Sequence, residues 1–310
     1  MKILDELPNH VLGDGQFCFP RGREINIKKI QREFSRFIER FPYELAKQRA
    51  NDFEHRSPSQ DIDVLLAQLE AAIRGHKGLS FVRMGDGEGR FVGISREYRR
   101  LYDQSKRIAK NIWYNYSKVP NEKFYDNLEG AYANASIVGY VPAHRLELEA
   151  KNVWYGYFGC VCGNEFIDAS LEHDIDGNAE KLVRNWTAVN MVGEATFSEL
   201  LRTTGVGIVT CHPHQGVFVE KFGLTHIEHF VIPPQYHPLL ENHSSFERLY
   251  PDQYLEIMAS FGKSDTQVYL IGAGVFAKIF CEHLRKLGKV GLDLGSVLDN
   301  IAGVATRPPT

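Results

Sequence analysis

The sequence predicts an α/β protein: a Rossmann-like, mostly parallel sheet with helices on both faces, preceded by an N-terminal helical extension. Three observations point there. From about residue 60 onward, short runs rich in Val, Ile and aromatic residues take turns with helical patterns. Those runs are near-continuously apolar, as strands covered on both faces are. Ahead of them, residues 25–41 repeat apolar positions at helical spacing. The expected division is a helical extension over 1–58 and an α/β domain over 59–310.

In the extension, Ile27, Ile30, Phe34, Phe37, Ile38 and Phe41 fall on one helical face, and Lys28, Lys29, Arg32, Arg36 and Arg40 on the other. Two readings stand: a solvated basic face on a docked helix, or a surface for anionic lipid or a phosphorylated acceptor. "HRSPSQD" at 55–61 reads as a linker or cap, and "DIDVLLAQLEAAIRG" as an amphipathic helix. Strands are expected at "LSFVRM", "ASIVGYVP", "VGIVTCHP", "IEHFVIPP", "QVYLIGAG" and "KVGLDLG". Helical "TFSELLRTTG" leads into the third, and "HQGVFVEKFG" joins the third to the fourth. A partly helical stretch from Pro238 to Gly262 precedes the fifth, and "VFAKIFCEHLRKLG" separates the last two. Residues 95–190, rich in Tyr, Trp and Asn, have weak periodicity and read as helices and insertions that shape an acceptor pocket.

Composition excludes several function classes. A net charge of −3 gives no basic field for nucleic acid. The most apolar run, "VYLIGAGVFAKIF", is too short to span a bilayer and is cut by Lys278. Asp5 and Glu6 stand where a signal peptide needs apolar residues, so the expectation is a cytoplasmic chain, with peripheral contact at the inner membrane face open to the basic helix. Five cysteines form no disulfide framework. Cys160 and Cys162 make a CxC pair without a second ligand pair at zinc-finger spacing, and read as semi-buried thiols.

Ligands of open parallel sheets sit beyond the carboxyl ends of the strands, which directs attention to four segments. "GAGVFA", with Asp293 about twenty residues on, matches a dinucleotide fingerprint. It comes at the chain's end, where such a domain lacks its remaining strands, so Gly272 and Gly274 read first as close-packing residues. "CHPHQG" offers His212 and His214 as a base, a metal ligand or a phosphate donor. "DLGS" carries Asp293 and Gly295.

The fourth segment, "VRMGDGEGRFV", has two readings. Asp86-Gly87 between apolar runs is a hairpin signal. In an extended chain, however, Asp86 and Glu88 point to one side and together suit magnesium or manganese. Gly85, Gly87 and Gly89 keep the approach clear, and Arg83 offers a forked donor for phosphate or carboxylate.

"FVRMGDGEGRFVG" resembles the RxGDGE segment of glycosyltransferases of the GT-D fold. The closing strand–helix–strand, from "VYLIGAG" to "GLDLG", is similar to that family's last unit. The resemblance implies a metal-dependent glycosyltransferase that moves a sugar from a nucleotide-sugar donor, a UDP-sugar foremost, to a glycan, glycoprotein or lipid-linked acceptor. It implies Mn2+ or Mg2+ on Asp86 and Glu88, with Arg83, Gly85, Gly87, Gly272, Gly274 and Gly295 about the donor. His212 and Asp293 are both candidates for a catalytic base, and the stereochemistry stays open. The alternatives are an NAD(P)-type oxidoreductase using "GAGVFA", with Asp293 on a ribose, and a non-catalytic binding protein.

Overall fold

The computed structural model describes residues 27–56, 62–109, 122–152, 154–172, 181–233 and 249–304. In chain order, helices α1 (Ile27–Arg40), α2 (Tyr43–Arg56) and α3 (Ile62–Arg74) lead to strand β1 (Leu79–Arg83). Then come α4 (Asp86–Gly89), a 3-10 turn at Gly93–Glu97, α5 (Arg99–Ala109), α6 (Glu122–Ala133) and β2 (Ile137–Tyr140). Helices α7 (Ala143–Asn152) and α8 (Trp154–Glu172) precede β3 (Leu182–Arg184), α9 (Thr187–Gly193), α10 (Ala195–Arg202) and β4 (Val206–Thr210). The chain closes with α11 (Gly216–Phe222), β5 (Glu228–Val231), α12 (Tyr254–Phe261), β6 (Val268–Ile271), α13 (Val275–Lys286), β7 (Val290–Asp293) and α14 (Val297–Ile301).

These elements form two compact units. Among the described residues, a helical unit takes 27–56, 84–107, 140–152 and 154–172; a sheet unit takes 62–83, 108–109, 122–139, 181–233 and 249–304.

In the sheet unit, seven parallel strands run in the order β3-β2-β1-β7-β6-β4-β5. Registers such as Phe81↔Leu292, Leu270↔Leu292 and Ile208↔Leu270 line up successive apolar residues across the centre. Period-two alternation then sorts each strand between two faces. One face presents Phe81, Ile208, Leu270 and Leu292 to Leu69 of α3, Phe197 of α10, Phe218 of α11 and Leu298 of α14, all in one buried cluster. The opposite face is aromatic. Tyr269 meets Phe261 of α12 at 4.7 Å between ring centroids, Phe261 meets Phe280 of α13 at 5.7 Å, and Phe276 of α13 meets Phe124 of α6 at 5.0 Å. At Gly291 the α13 backbone comes so close that a Cβ would lie 2.7 Å from the Cys281 α-carbon. Six strands lie where the sequence predicts them. The seventh, β3, is a three-residue strand at the sheet edge that no sequence pattern announced.

In the helical unit, the amphipathic pattern of α1 is fulfilled. Phe34, Phe37, Ile38 and Phe41 are buried while Lys29, Arg32, Arg36 and Arg40 face solvent. Phe37 sits edge-on to Tyr98 and to Phe158 of α8, at 5.0 and 4.9 Å. Thus the apolar face of α1 is committed to packing within its own unit. Arg49 and Arg56 of α2 both grip the buried Asp168 carboxylate of α8. Asn164 of α8 holds the main chain of Val141 from both sides, at 3.0 and 2.9 Å. Cys160 and Cys162, on α8, are fully buried, and burial pushes the Cys162 thiol well above its usual range. Among the described residues no helix is long and apolar enough to cross a membrane.

Candidate active site

The sheet has a topological switch between neighbours β4 and β6. β4 hands the chain to β5 through α11 on one face, whereas β6 hands it to β7 through α13 on the other. Such a divergence opens a crevice at the carboxyl ends of the two strands, where open parallel sheets bind ligands. Cys211 and His212 leave β4 there, and Gly272 and Gly274 leave β6.

His212 is fixed in place. Its main-chain N–H donates to Thr210 Oγ1 at 3.4 Å, and the His229 imidazole bonds its main chain in turn. Its Nε2 lies 2.8 Å from Asp299 Oδ1 of α14, with side-chain exposures of 13% and 19%. An ionised carboxylate only accepts, so Nε2 is the donor in this contact. The Cys211 thiol lies 3.8 Å from the same Nε2. Burial, then the Asp299 charge, raises that thiol to about 11. His214 is exposed. Asp299 was not singled out in the sequence. Its only local signal is a position in a short helix after "DLGS", and it becomes significant through the adjacency of α14 to the β4 end.

Asp293, the second candidate base, is enclosed. It ends β7 with 0% exposure on the α13 face, and Lys278 Nζ, itself 3% exposed by residue, lies 2.9 Å from its Oδ2. The Arg83 main-chain N–H donates to the same oxygen at 3.2 Å, and the Arg83 guanidinium stands 3.6 Å from Oδ1. This carboxylate binds two cations inside the sheet unit and presents no surface to an acceptor hydroxyl or a ribose. The Tyr132 hydroxyl donates to Arg83 O at 3.0 Å, steadying the end of β1, while Arg83 Nε is buried with no hydrogen-bond partner. Arg83 is therefore a partly buried cation anchored at a strand's carboxyl end, with donor capacity to spare.

The glycines about this centre have specific duties. Gly295 has φ 52°, and a side chain there would run into the Arg83 guanidinium. Gly274, with φ 51° and ψ −128°, caps α13 and accepts from Lys278 Nζ at 3.1 Å. Gly272 donates to Val209 O at 2.8 Å, tying the β6 end to β4 across the switch.

The "GDGEG" segment folds differently from either sequence-based picture. Asp86–Gly89 is a helical turn with Gly85 as its extended N-cap, closed by Gly89 N–H to Gly85 O at 3.2 Å. The hairpin reading is thus corrected. So is the argument that the carboxylates share one side of an extended chain, since helical residues two apart differ by about 200° around the axis. The cause is tertiary. Gly89 packs directly on the Gly159 carbonyl of α8, where any Cβ would collide, and Gly163 likewise leaves room for Met84. Glu88 folds back toward the start of the turn, its Oε2 2.5 Å from where a Cβ on Gly85 would stand. Gly87 O accepts from the Arg90 guanidinium at 3.3 Å. At this turn Glu88 supplies hard carboxylate oxygen, the donor type that small divalent cations take.

No family model matches the chain. Two solved structures are similar to it. One is described as the highly conserved domain of unknown function 1792, with a distinct glycosyltransferase fold; it shares 17% identity over 79% of this chain and 83% of that chain, at a TM-score of 0.46. The other, a selenomethionine-substituted structure of domain of unknown function 1792, shares 17% identity over the same fractions at 0.45.

Proposed function

We propose that the chain is a metal-dependent glycosyltransferase using a nucleotide-sugar donor. The observation that carries this reading is the path of the chain out of β1. From Arg83, at the carboxyl end of a central parallel strand, it enters a turn bearing Asp86 and Glu88, in a segment resembling the GT-D motif. Asp86 and Glu88 would hold Mn2+ or Mg2+, which as a Lewis acid neutralises a leaving diphosphate. Arg83 adds a fixed positive charge for an anionic group. Gly272 and Gly274 keep the β6 end bare for close approach.

For the proton of an acceptor hydroxyl, His212 is the better base. Asp299 accepts the hydrogen bond from Nε2–H and orients the ring, leaving the Nδ1 lone pair to take the proton. Enclosure of Asp293 speaks against the oxidoreductase alternative, which requires that carboxylate on a ribose. The acceptor is a glycan or a lipid-linked glycan, with the exposed basic face of α1 a candidate contact for it or for anionic lipid.

The test is thermal shift of the full chain with UDP, GDP and NADH, each with and without Mn2+. A nucleoside diphosphate should stabilise only with the metal, and Asp86→Asn with Glu88→Gln should abolish that response while the apo melting temperature holds. Stabilisation by NADH without metal would overturn the reading. Slow hydrolysis of one nucleotide sugar in the same conditions would then identify the donor.

A further inference from the structure

We propose that Cys211, His212 and Asp299 form a second metal site, chemically distinct from the carboxylate pair and suited to a borderline-soft first-row cation such as Zn2+. Their ligand atoms, Sγ, Nε2 and a carboxylate oxygen, all lie within 4.8 Å of one another. Bonds of 2.0–2.3 Å to a tetrahedral zinc place neighbouring ligand atoms roughly 3.3–3.8 Å apart. The observed 3.8 Å from Sγ to Nε2 and 2.8 Å from Nε2 to Oδ1 come within an ångström of that pattern. Small side-chain rotations suffice to seat an ion.

A simple hydrogen-bonded pair does not account for the whole cluster. Nε2 has one in-plane direction, and Asp299 occupies it, yet the Cys211 sulfur is turned onto the same nitrogen. Three different donor types meeting at one point is the arrangement a cation uses. Thiolate and carboxylate together also balance a 2+ charge. Sulfur, imidazole and a single carboxylate favour zinc, cobalt or a similar ion over magnesium or calcium, which demand oxygen.

The supports are rigid. Cys211 and His212 follow directly on β4, whose five residues are all buried, and the His229 imidazole braces the His212 main chain. Asp299 follows Val297 and Leu298, which pin α14 into the core at 5% and 0% exposure. Cys211 itself is only partly buried, so the cluster is reachable from solvent. Three protein ligands leave a fourth position for water or an exogenous ligand, the open arrangement of a non-structural zinc site. On the glycosyltransferase reading, an ion here would occupy Nε2, move the imidazole proton to Nδ1 and remove the base. Metal binding itself does not depend on that reading.

The test is titration of the full-length protein with Co2+, followed by absorbance. The expected result is a near-ultraviolet thiolate-to-cobalt charge-transfer band with intense visible bands of four-coordinate cobalt, saturating at one equivalent and displaced by Zn2+. Cys211→Ser should lose the charge-transfer band and weaken binding at least tenfold while keeping the parent melting temperature. Asp86→Asn with Glu88→Gln should keep the band. Absence of a charge-transfer band at saturating cobalt, a band that persists in Cys211→Ser, or a band lost in the double carboxylate variant would each overturn the assignment. Because the readout is spectroscopic, failure of the glycosyltransferase reading would leave this result standing, and the reverse holds too.

Discussion

Replacing Lys278 with Met tests the account of Asp293 most directly. At 2.9 Å, and with side chains 4% and 0% exposed, the pair attracts by about 6 kcal/mol at an effective dielectric of about 20. Desolvation of both ions offsets much of this, so the net worth of the pair is small. The cost of breaking it is larger, because an enclosed carboxylate is left behind. Removing one partner of a buried pair costs about 3–5 kcal/mol. Here the Arg83 N–H at 3.2 Å and its guanidinium at 3.6 Å still face Asp293, so the lower end, about 3 kcal/mol, is expected. Urea denaturation followed by tryptophan fluorescence measures the change. Adding Asp293→Asn to Lys278→Met removes the stranded charge and should restore more than half of the loss, a coupling a double-mutant cycle reads out. A Lys278→Met loss below about 1 kcal/mol, or a strictly additive double variant, would refute the picture of Asp293 as an enclosed, cation-held group.

Three further outcomes are expected. Asp299→Asn should lower kcat for sugar transfer at least tenfold while leaving metal-dependent diphosphate binding unchanged; a change in binding alone would assign Asp299 to the donor site. Gly89→Ala should cost about 1–3 kcal/mol by overpacking against the Gly159 carbonyl, whereas Gly193→Ala, with nothing within 4 Å of the added methyl, should be neutral within about 0.5 kcal/mol in the same denaturation assay. Burial holds His283 below the ordinary histidine range, with its Nε2 donating to Met258 O at 3.1 Å. Because the unfolded chain then binds the proton more readily, this stabilisation is complete above about pH 6.5 and declines as pH falls toward the lowered native value, by at most about 1.4 kcal/mol per pH unit. His283→Gln keeps a donor for Met258 and should flatten that part of the stability profile; an unchanged slope would mean that the imidazole is not the source.

What the sequence disclosed and what it hid divide along the line between local and non-local physics. A strand buried on both faces needs apolar residues in succession, so β1, β2, β4, β6 and β7 announced themselves. The apolar face of α1 did so by its spacing, and Leu65, Leu66 and Leu69 of α3 by theirs. At three residues, β3 is too short to carry a period, and it exists because β2 offers it an open edge. The helical unit was hidden because the chain enters it three separate times, and its joints are pairings such as Arg49 with Asp168 that no local window spans.

The two chemical centres show the same division at finer grain. Residue types at "VRMGDGEG" were enough to suggest a cation and an anion, but the conformation that presents them was not local. Asp-Gly in isolation favours a tight turn between strands; here the segment is helical and its Gly89 rests on Gly159, seventy residues away. Glu88 instead folds back toward Gly85. At His212 the sequence supplied one member of a pair and left His212 and Asp293 as equal candidates for a base. The parallel order β6-β4 together with the docking of α14 supplied the other member, Asp299, and the same sheet enclosed Asp293 between Lys278 and Arg83. Burial, which no motif encodes, is what marks Asp293 as a carboxylate that holds the fold together.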